Sequence, residues 1–354
     1  MTHQPTETVS AYAAHSPTEA LKPFTIHRRE VTAQDVEIAI EYCGVCHSDI
    51  HMARNEWGFS TFPLVPGHEI VGRVTQIGAK VTRHTVGELV GVGCMVDSCR
   101  HCASCDEGLQ QYCANKIMTY NSLDPKYNTK TYGGYSQQIV VDQAFVLRIP
   151  HNLDAKAVAP LLCAGITTWS PLRHWKVKRG DVVGIIGLGG LGHMGIKFAH
   201  ALGAKVVMIT RSASKGQDAK ALGADQVLLS HDAAAMEKYA NQFDFLLNTI
   251  PTRHDVNPYV NLLKRDASMV MVGAIEPLEP INCGPLVFGR KSIAGSLIGG
   301  IAETQEMLDF CGEHQIVSDV EVIQIQGINE AYERMIKSDV KYRFVIDMKS
   351  LAVS

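Results

Sequence analysis

The sequence lacks any apolar run of about 18 residues, the length that a membrane-spanning helix needs, so no spanning segment is predicted. Its formal net charge is only −3, too small to indicate a nucleic acid or an anionic membrane as partner. The first residues show no basic stretch followed by an apolar core, so no signal peptide is predicted. The ten cysteines are therefore expected as metal ligands or free thiols in a reducing cytoplasm.

Four of those cysteines stand close together in the sequence, at Cys99, Cys102, Cys105 and Cys113. The spacing C-x2-C-x2-C-x7-C lets four thiolate sulfurs converge on one tetrahedral ion, and zinc is the usual occupant of such sites. Because four protein ligands would complete the coordination of the ion, a structural role is predicted. An iron–sulfur cluster is the alternative, although the proline that follows the fourth cysteine of bacterial ferredoxins is absent here.

The pattern of apolar and turn-forming residues changes near Pro160. Before it, short β-branched runs punctuated by Gly and Pro predict an irregular antiparallel β region. After it, apolar strands alternate with helical segments, which predicts βαβ units and a parallel sheet, an α/β fold with a β-rich portion. The early strands are expected at Ile70–Val74, Leu89–Val92 and Gln138–Val141. The later elements are expected as strands Val182–Ile186, Val206–Thr210, Val227–Ser230, Phe245–Thr249, Ser268–Val272 and Tyr342–Ile346, and as helices Met194–Ala201, Ser214–Leu222, Glu303–Glu313 and Ile328–Lys337.

A glycine-rich loop follows the strand Val182–Ile186 and opens a helix; it reads Gly187, Leu188, Gly189, Gly190, Leu191, Gly192. The pattern G-x-G-x-x-G is weak alone and matches many glycine turns. Between a strand and a helix it predicts a dinucleotide site, because glycines let backbone N–H groups approach a pyrophosphate at the helix N-terminus.

The end of the next strand predicts which dinucleotide binds. NAD sites usually carry an acidic residue there, whereas this strand ends in Thr210, Arg211 and Ser212, with Lys215 beyond. Hydroxyls and cations accept a 2′-phosphate that a carboxylate would repel, so NADP(H) is predicted. The alternative is that Arg211 and Lys215 are solvated surface charges.

A second metal-type constellation precedes the four cysteines: CGVCHSD from Cys43, VPGHEIVG around His68, and LLCAG around Cys163. Together with G-H-E-x2-G-x5-G-x2-V, GGYSQQIVV and GLGGLGHMGIK, these strings resemble the zinc-containing medium-chain alcohol dehydrogenases, in the cinnamyl-alcohol-dehydrogenase branch that includes bacterial aldehyde reductases. The resemblance runs from about residue 25 to 348. Read alone, C-x-x-C-H also matches c-type haem attachment, which would require export.

The resemblance implies two domains. A GroES-like catalytic domain would comprise residues 1–153 and 298–354, with a structural zinc lobe at about 94–115. A Rossmann domain with a doubly wound parallel sheet would comprise residues 154–297 and bind NADP(H). The active site is expected between the domains, as small-molecule sites often are. The run Ser292–Gly299 resembles the edge strand through which family members pair, so a homodimer is expected.

The resemblance also assigns roles to single residues. Catalytic zinc would bind Cys46, His68 and Cys163, with Glu69 as an alternate ligand and Asp49 orienting the imidazole. Ser48 and His51 would relay the proton, although His51 read alone is an ordinary surface histidine. The expected cofactor contacts also include Thr167 and, at the pyrophosphate, Arg343. From residue type alone, the cysteines expected to be buried apolar thiols and not ligands are Cys43, Cys94, Cys283 and Cys311.

The implied reaction is reversible reduction of an aldehyde to a primary alcohol by hydride transfer from NADPH, with zinc polarising the carbonyl. Members that act on lignin precursors tend to carry aromatic residues where this chain has Met118 and Leu297, and their loss removes stacking surface. Trp57 is expected either at the pocket mouth or packed at the surface. Broad aliphatic and aromatic specificity is therefore predicted, with cinnamyl alcohol dehydrogenase proper as the alternative.

Overall fold

The computed structural model describes residues 7–273 and 276–351. The chain divides into two compact units: the larger unit, Met1–Cys163 with Gly299–Ser354, and the smaller unit, Ala164–Ile298. The family-based domain boundaries at 153/154 and 297/298 stay a prediction. No helix within the described ranges is both long and apolar enough to cross a membrane.

Strands predominate up to about residue 150, and helices alternate with strands beyond it. The strands are β1 (Glu7–Ala13), β2 (Lys22–Arg28), β3 (Asp35–Gly44), β4 (Ile70–Ile77), β5 (Leu89–Val92), β6 (Met95–Asp97), β7 (Ile117–Met118), β8 (Leu123–Asp124), β9 (Thr129–Lys130), β10 (Gln138–Asp142), β11 (Leu147–Arg148), β12 (Val182–Ile186), β13 (Lys205–Thr210), β14 (Gln226–Leu229), β15 (Phe243–Asn248), β16 (Leu263–Met271), β17 (Ser292–Gly295), β18 (Val320–Gln324) and β19 (Arg343–Asp347). The α-helices are α1 (His47–Ala53), α2 (Ala103–Asp106), α3 (Ala155–Val158), α4 (Ala164–His174), α5 (Gly192–Ala201), α6 (Gly216–Ala221), α7 (Ala233–Lys238), α8 (Asn257–Val260), α9 (Cys283–Gly289), α10 (Ile301–His314) and α11 (Ile328–Ile336). Short 3₁₀ turns cover Gln110–Tyr112, Gln143–Phe145, Ala159–Leu162, Ala213–Lys215, Ile325–Gly327 and Met348–Leu351.

The larger unit is built on a mostly antiparallel sheet of order β11-β5-β4-β3-β19-β18, with β10 also paired to β3. The central strand β3 buries Val36, Ile38 and Ile40, as expected for a strand with neighbours on both edges. Its register sets Cys43 opposite Ile70 of β4, so the residues that follow β3 lie beside those that precede β4. This pairing brings two distant sequence segments together.

Helix α1 starts directly after β3 and is stabilised at its first turn. The backbone N–H of Cys46, the residue before the helix, donates to Oδ2 of Asp49 at 2.9 Å. A carboxylate in the first turn also interacts favourably with the helix dipole. The start of α1 is therefore held by the same Asp49 that the resemblance places behind His68.

The smaller unit contains one parallel six-stranded sheet of order β14-β13-β12-β15-β16-β17. Counted from β12, this is the order 3-2-1-4-5-6 of dinucleotide-binding sheets. Its central strands are apolar runs, as strands covered on both faces require. The predicted fold class is confirmed; the predicted helix Ser214–Leu222 instead forms a 3₁₀ turn followed by α6.

Candidate active site and metal centres

Four possible metal ligands meet in the larger unit and form the inner cluster: Cys46, His68, Glu69 and Cys163. Each offers one ligand atom, and these atoms all lie within 4.8 Å of one another. The Sγ atoms of Cys46 and Cys163 are 3.9 Å apart, and both thiols are free. Two sulfurs, one imidazole and one carboxylate are a donor set that zinc accepts.

The inner cluster is assembled by the strand pairing of β3 with β4. Gly44 ends β3, Val45 and Cys46 follow it, and His68 and Glu69 immediately precede β4. Gly44 allows the close approach, because a Cβ atom there would lie 1.9 Å from Oε2 of Glu69. Cys163 comes from a third segment, directly after the 3₁₀ turn Ala159–Leu162. No local spacing in the sequence links these three segments.

Asp49 fixes the orientation of the histidine ligand. It is fully buried, and its Oδ1 accepts hydrogen bonds from the Gly67 N–H at 3.0 Å and, at 3.1 Å, from Nδ1 of His68. Burial lowers the pKa of His68, but the charge of Asp49, the charge of Cys94 and the hydrogen bonds with Asp49 and Cys46 together outweigh burial and hold the pKa well above its ordinary value. With Nδ1 engaged, Nε2 is the nitrogen left to bind a metal.

Glu69 is shared between the inner cluster and a buried arginine. Its Oε1 accepts a hydrogen bond from Nη2 of Arg343, whose guanidinium also donates to the carbonyl of Val45 at 2.8 Å. Oε2 of Glu69 is buried and has no hydrogen-bond partner among the described residues. Burial raises the pKa of Glu69 to about 7, and the charge of Arg343 opposes that rise. The predicted pyrophosphate contact of Arg343 stays a prediction.

The contact between the two inner thiols shifts their pKa values in opposite directions. The hydrogen bond with Cys163 lowers the pKa of Cys46 well below its ordinary value, while the same contact raises the pKa of Cys163. Cys46 is therefore the more acidic of the two thiols. Together with the unpartnered carboxylate oxygen of Glu69, this shows that the donor set fits the zinc ion predicted there.

The four-cysteine segment forms the outer cluster: Cys99, Cys102, Cys105 and Cys113. Their Sγ atoms lie within 4.8 Å of one another, with Cys102 and Cys105 at 3.6 Å. The short helix α2 and the 3₁₀ turn Gln110–Tyr112 fold the segment back on itself. Four convergent sulfurs fit a closed tetrahedral zinc site, in which the protein supplies every ligand.

The predicted proton-relay residues lie at the start of α1. Oγ of Ser48 accepts a hydrogen bond from Sγ of Cys46 at 3.7 Å. His51 is partly exposed, and its Nδ1 forms a hydrogen bond with a carboxylate oxygen of Glu56. Its ring also stacks on Trp57, with centroids 5.1 Å apart. Glu56 was not among the residues predicted from sequence, although an acid five residues after a candidate relay histidine was a usable signal.

The nucleotide loop joins β12 to α5 in the smaller unit. Gly187 has φ +95°, and a Cβ atom on Gly192 would lie 1.9 Å from the Gly187 carbonyl oxygen. Nothing lies within 4 Å of the Cβ position at Gly189, so the loop backbone is open there. These are the properties expected of a loop whose backbone approaches a phosphate. Leu188, Gly190 and Leu191 complete the loop, and Thr167 is buried in the preceding α4.

The residues predicted to select the dinucleotide lie at the end of β13. Thr210 is buried, Arg211 is exposed, and Nζ of Lys215 donates to the carbonyl of Leu188 at 3.0 Å. The hydroxyls of Ser212 and Ser214 lie 2.7 Å apart. Lys215 is therefore tied to the nucleotide loop and is not merely a solvated charge.

The expectations about the remaining cysteines are confirmed for three residues and wrong for one. Cys43, Cys94 and Cys311 are buried as expected, whereas the expectation for Cys283 is wrong: it is exposed at the start of α9. Its helix carries no buried residue, so burial could not follow from its apolar sequence. Trp57 is half-buried, packs against the Met52, Leu64 and Tyr120 cluster, and stacks on the exposed Phe59.

Comparison with known proteins places the chain in a family. Residues 32–151 match the alcohol dehydrogenase GroES-like domain, and residues 190–313 match the zinc-binding dehydrogenase domain. The aldehyde reductase YahK of Escherichia coli (strain K12) is 55% identical over 97% of this chain and 99% of its own length. The NADP-dependent alcohol dehydrogenase C 1 of Mycolicibacterium smegmatis is 51% identical over 97% and 99%.

Solved structures agree. A cinnamyl alcohol dehydrogenase of Sorghum bicolor, SbCAD4, matches with a TM-score of 0.94 and 43% identity over 97% of this chain and 98% of that one. The enzyme named CAD from Helicobacter pylori, complexed with NADP(H), matches with a TM-score of 0.91 and 40% identity over the same shares. The chain therefore belongs to the zinc-binding alcohol dehydrogenases, in their cinnamyl-alcohol-dehydrogenase branch, and the predicted enzyme class is confirmed.

Proposed function

We propose that this chain is a zinc-dependent, NADPH-dependent aldehyde reductase that interconverts aldehydes and primary alcohols. The observation that carries the proposal is the inner cluster, two cysteines with a histidine and a glutamate within 4.8 Å, in a chain 55% identical to an aldehyde reductase. The outer cluster would hold a second, structural zinc. Two zinc ions per chain follow from this proposal.

In the inner cluster, Cys46, His68 and Cys163 would hold zinc and leave one position for substrate. When bound there, zinc supplies Lewis-acid polarisation of the carbonyl group. Asp49 orients the His68 ring by accepting the Nδ1 hydrogen bond, which leaves Nε2 to bind the zinc. Glu69, with one oxygen on Arg343 and one unpartnered among the described residues, would serve as the alternate ligand.

The chain's own residues would also move the proton that the product alcohol needs. The Ser48 hydroxyl lies next to Cys46, where it can donate to a substrate oxygen. His51 is held at Nδ1 by Glu56 and on its ring face by Trp57, so Nε2 is the nitrogen available for exchange with solvent. Ser48 to His51 is therefore the proposed route of the proton.

NADPH is the proposed hydride donor because the end of β13 offers hydroxyls and cations to a 2′-phosphate. Replacing Arg211 with Glu should lower kcat/KM for NADPH by about tenfold or more, since it puts a charge of the wrong sign where a charge-assisted bond is expected. Arg265→Glu is the matched control, because Arg265 is exposed elsewhere in the smaller unit. The contradicting result is an Arg211→Glu enzyme with unchanged kcat/KM for NADPH.

The general test is NADPH oxidation measured over a panel of aliphatic and aromatic aldehydes, beside NADH. The proposal expects turnover with both aldehyde classes and higher kcat/KM with NADPH throughout. A preference for NADH with every aldehyde would overturn the coenzyme assignment, and no turnover with any aldehyde would overturn the activity.

A second candidate, cinnamyl alcohol dehydrogenase proper, is favoured by one observation. The rings of Trp57 and Phe59 stack with centroids 6.0 Å apart and supply aromatic surface close to His51. Against it, Met118 and Leu297 stand where lignin-precursor enzymes tend to be aromatic. A kcat/KM for cinnamaldehyde far above that for linear aldehydes such as hexanal would favour this second candidate.

The proposed assembly is a homodimer formed through β17. This strand is the last in the order of the six-stranded sheet, and the neighbouring α9 exposes Val287 and Phe288, the latter by 94%. Exposed apolar side chains beside a strand edge favour association. Light scattering should give twice the chain mass of 38.7 kDa, and a monomer across micromolar concentrations would contradict the dimer.

We also propose a cytoplasmic location, which agrees with ten cysteines that are all free thiols. Fractionation of cells should recover the activity in the cytoplasmic fraction. Recovery in another compartment would contradict this location.

A further inference from the structure

A cavity of about 370 Å³ lies in the larger unit, away from the residues assigned to the reaction. It is lined by strands β2 and β10, by parts of β6, and by the segment that includes the β8–β9 hairpin. None of the four inner-cluster residues lines it. Its volume is at the lower end of the range for small-molecule pockets.

Arg28 is a buried cation in the wall of this cavity. Its guanidinium donates to the carbonyls of Gln138 at 2.9 Å, Tyr132 at 2.8 Å and Gly133 at 3.1 Å, and to the hydroxyl of Ser136 at 2.8 Å. All of these acceptors are neutral, and no carboxylate among the described side chains contacts Arg28. Buried charges are normally paired with an opposite charge, so this arrangement lacks a partner.

The neighbouring Arg29 shows what the matched arrangement looks like. It also lines the cavity, but both of its terminal nitrogens donate to the carboxylate of Asp35. Burial lowers the pKa of Arg29, yet its bonds with Asp35 outweigh that and the net pKa is raised. For Arg28, burial lowers the pKa to about 9 and the charge of Arg29 adds to the lowering. Arg29 and Arg28 therefore differ in that Arg29 has a carboxylate partner, Asp35, and Arg28 has none among the described residues.

Lys130 is a second cation in the same wall without a carboxylate. Its Nζ donates to the carbonyls of Thr61 and, at 2.7 Å, Pro63. Burial lowers the pKa of Lys130 to about 8. Within the described part of the chain, its hydrogen bonds go only to neutral oxygens, as those of Arg28 do. Arg28 and Lys130 therefore both line this cavity without a carboxylate partner among the described residues.

The four carboxylates in the lining do not supply the missing anion, because no hydrogen bond or ion pair joins any of them to Arg28 or Lys130 within the described residues. Asp35 pairs with Arg29, Asp97 and Asp142 both pair with Arg100, and Oδ1 of Asp124 accepts from the Lys126 backbone N–H at 2.9 Å. The ammonium groups of Lys126 and Lys130 lie over the Tyr127 and Tyr132 rings, at 4.9 and 5.8 Å from the ring centroids.

We propose that this cavity binds a small organic carboxylate, whose negative charge lies between Arg28 and Lys130. The rest of the lining favours a ring-bearing body: Tyr127 and Tyr132 offer aromatic faces, and Ile26, Val96 and Ile139 are apolar. The volume is large enough for a ligand such as a benzoate or cinnamate ion. The site is independent of the proposed aldehyde reduction.

Isothermal titration of the zinc-loaded protein with benzoate tests the proposal, with benzamide as the uncharged counterpart. Benzoate is expected to bind with a dissociation constant of about 1 mM or below, and benzamide at least about tenfold more weakly. Lys130→Met should weaken benzoate binding about tenfold or more, because it removes one charge-assisted contact. Lys156→Met, at a half-exposed lysine of the same unit that does not line the cavity, is the matched control and should bind as the unmodified chain does.

Cys163→Ala separates this cavity from the inner cluster, since a carboxylate could also bind a metal there. The proposal expects benzoate binding to persist in Cys163→Ala, whether or not that variant reduces aldehydes. Loss of binding in Cys163→Ala with retention in Lys130→Met would overturn the proposal, as would no binding to the unmodified chain. Arg28→Gln should also weaken binding; if it does not fold, the Lys130→Met result decides.

Discussion

The inner and outer clusters use similar ligands but are supported in different ways. The inner cluster draws on three segments far apart in sequence, and Asp49 and Arg343 hold its ligands through buried hydrogen bonds. The outer cluster comes from one short segment, and three of its four cysteines are only partly buried. The nearest polar support there is Ser98, whose hydroxyl accepts from Cys105 at 3.3 Å.

This difference fits a role in the reaction for the inner cluster and a role in stability for the outer cluster. Hydrogen bonds, burial and nearby charges shift the pKa values of the inner-cluster ligands, and Oε2 of Glu69 has no hydrogen-bond partner in the described part of the chain. The outer cluster has four sulfurs that can complete the coordination of one zinc ion. Such a site would stabilise the folded form of the segment that carries it. Substitutions in the two clusters should therefore fail in different ways.

The largest expected effect is on turnover in Cys163→Ala. Cys163 is a proposed direct ligand, so its loss should lower aldehyde reduction to about 1% of the unmodified value or less. This is a larger loss than the 10–100-fold decrease typical when a residue that hydrogen-bonds to a metal ligand is replaced. Metal analysis should find one zinc per chain instead of two, with dinucleotide affinity retained. Cys283→Ala, at an exposed thiol outside both clusters, is the control. Full turnover in Cys163→Ala would remove it from the ligand set.

The next effect concerns the support of His68. Asp49→Asn keeps the shape of the side chain but removes the negative charge of the carboxylate that accepts from Nδ1 of His68. The affinity of the inner cluster for zinc should therefore fall about 10–100-fold. Chelator competition measures this change. Asp154→Asn, where Asp154 caps α3 and is half-exposed, is the control and should leave affinity unchanged. Equal affinities in both variants would contradict the role of Asp49.

A smaller effect on turnover, with a clear effect on stability, is expected in the outer cluster. Cys105→Ser should lose one zinc and lower the melting temperature, because a metal that binds only the folded chain stabilises it. Molecules that remain folded should retain most of their aldehyde turnover. Turnover lost in proportion to the outer zinc, without any loss of folded protein, would show that the two clusters are not separate in function.

The smallest expected effect is the pH dependence of the metal-free chain. Burial raises the pKa of Glu69 from 4.5 to about 7, so the folded state holds this proton more tightly than the unfolded chain does. Its contribution to stability is complete below pH 4.5 and is lost as the pH rises to about 7. Urea unfolding should show that Glu69→Gln loses less stability than the unmodified chain over this range. Identical pH slopes would contradict the shift.

Much of the fold and part of the site could be predicted from sequence, for physical reasons. The outer cluster and the loop Gly187–Gly192 are local, so cysteine spacing indicates the first, and the glycine pattern between a strand and a helix indicates the second. Apolar runs such as Val182–Ile186 predict buried strands for the same reason. The inner cluster depends on the pairing of Cys43 with Ile70, a contact between distant residues, and only the family resemblance pointed to it.

What the sequence did not reveal depends on tertiary packing. The bond between His51 and Glu56, the pairing of Glu69 with Arg343, and the uncompensated Arg28 all require knowledge of which side chains meet. The exposure of Cys283 was missed because residue type predicts burial only on average. The predicted roles of Ser48, His51 and Thr167 stay predictions.

The most direct measurement is aldehyde turnover with NADPH during stepwise removal of metal by a strong chelator, with zinc per chain determined at each step. We expect turnover to disappear as the inner zinc leaves, while the chain stays folded, and to return when zinc is added. Unchanged turnover in folded protein that has lost the inner zinc would contradict the assignment of Cys46, His68 and Cys163 as the centre of the reaction.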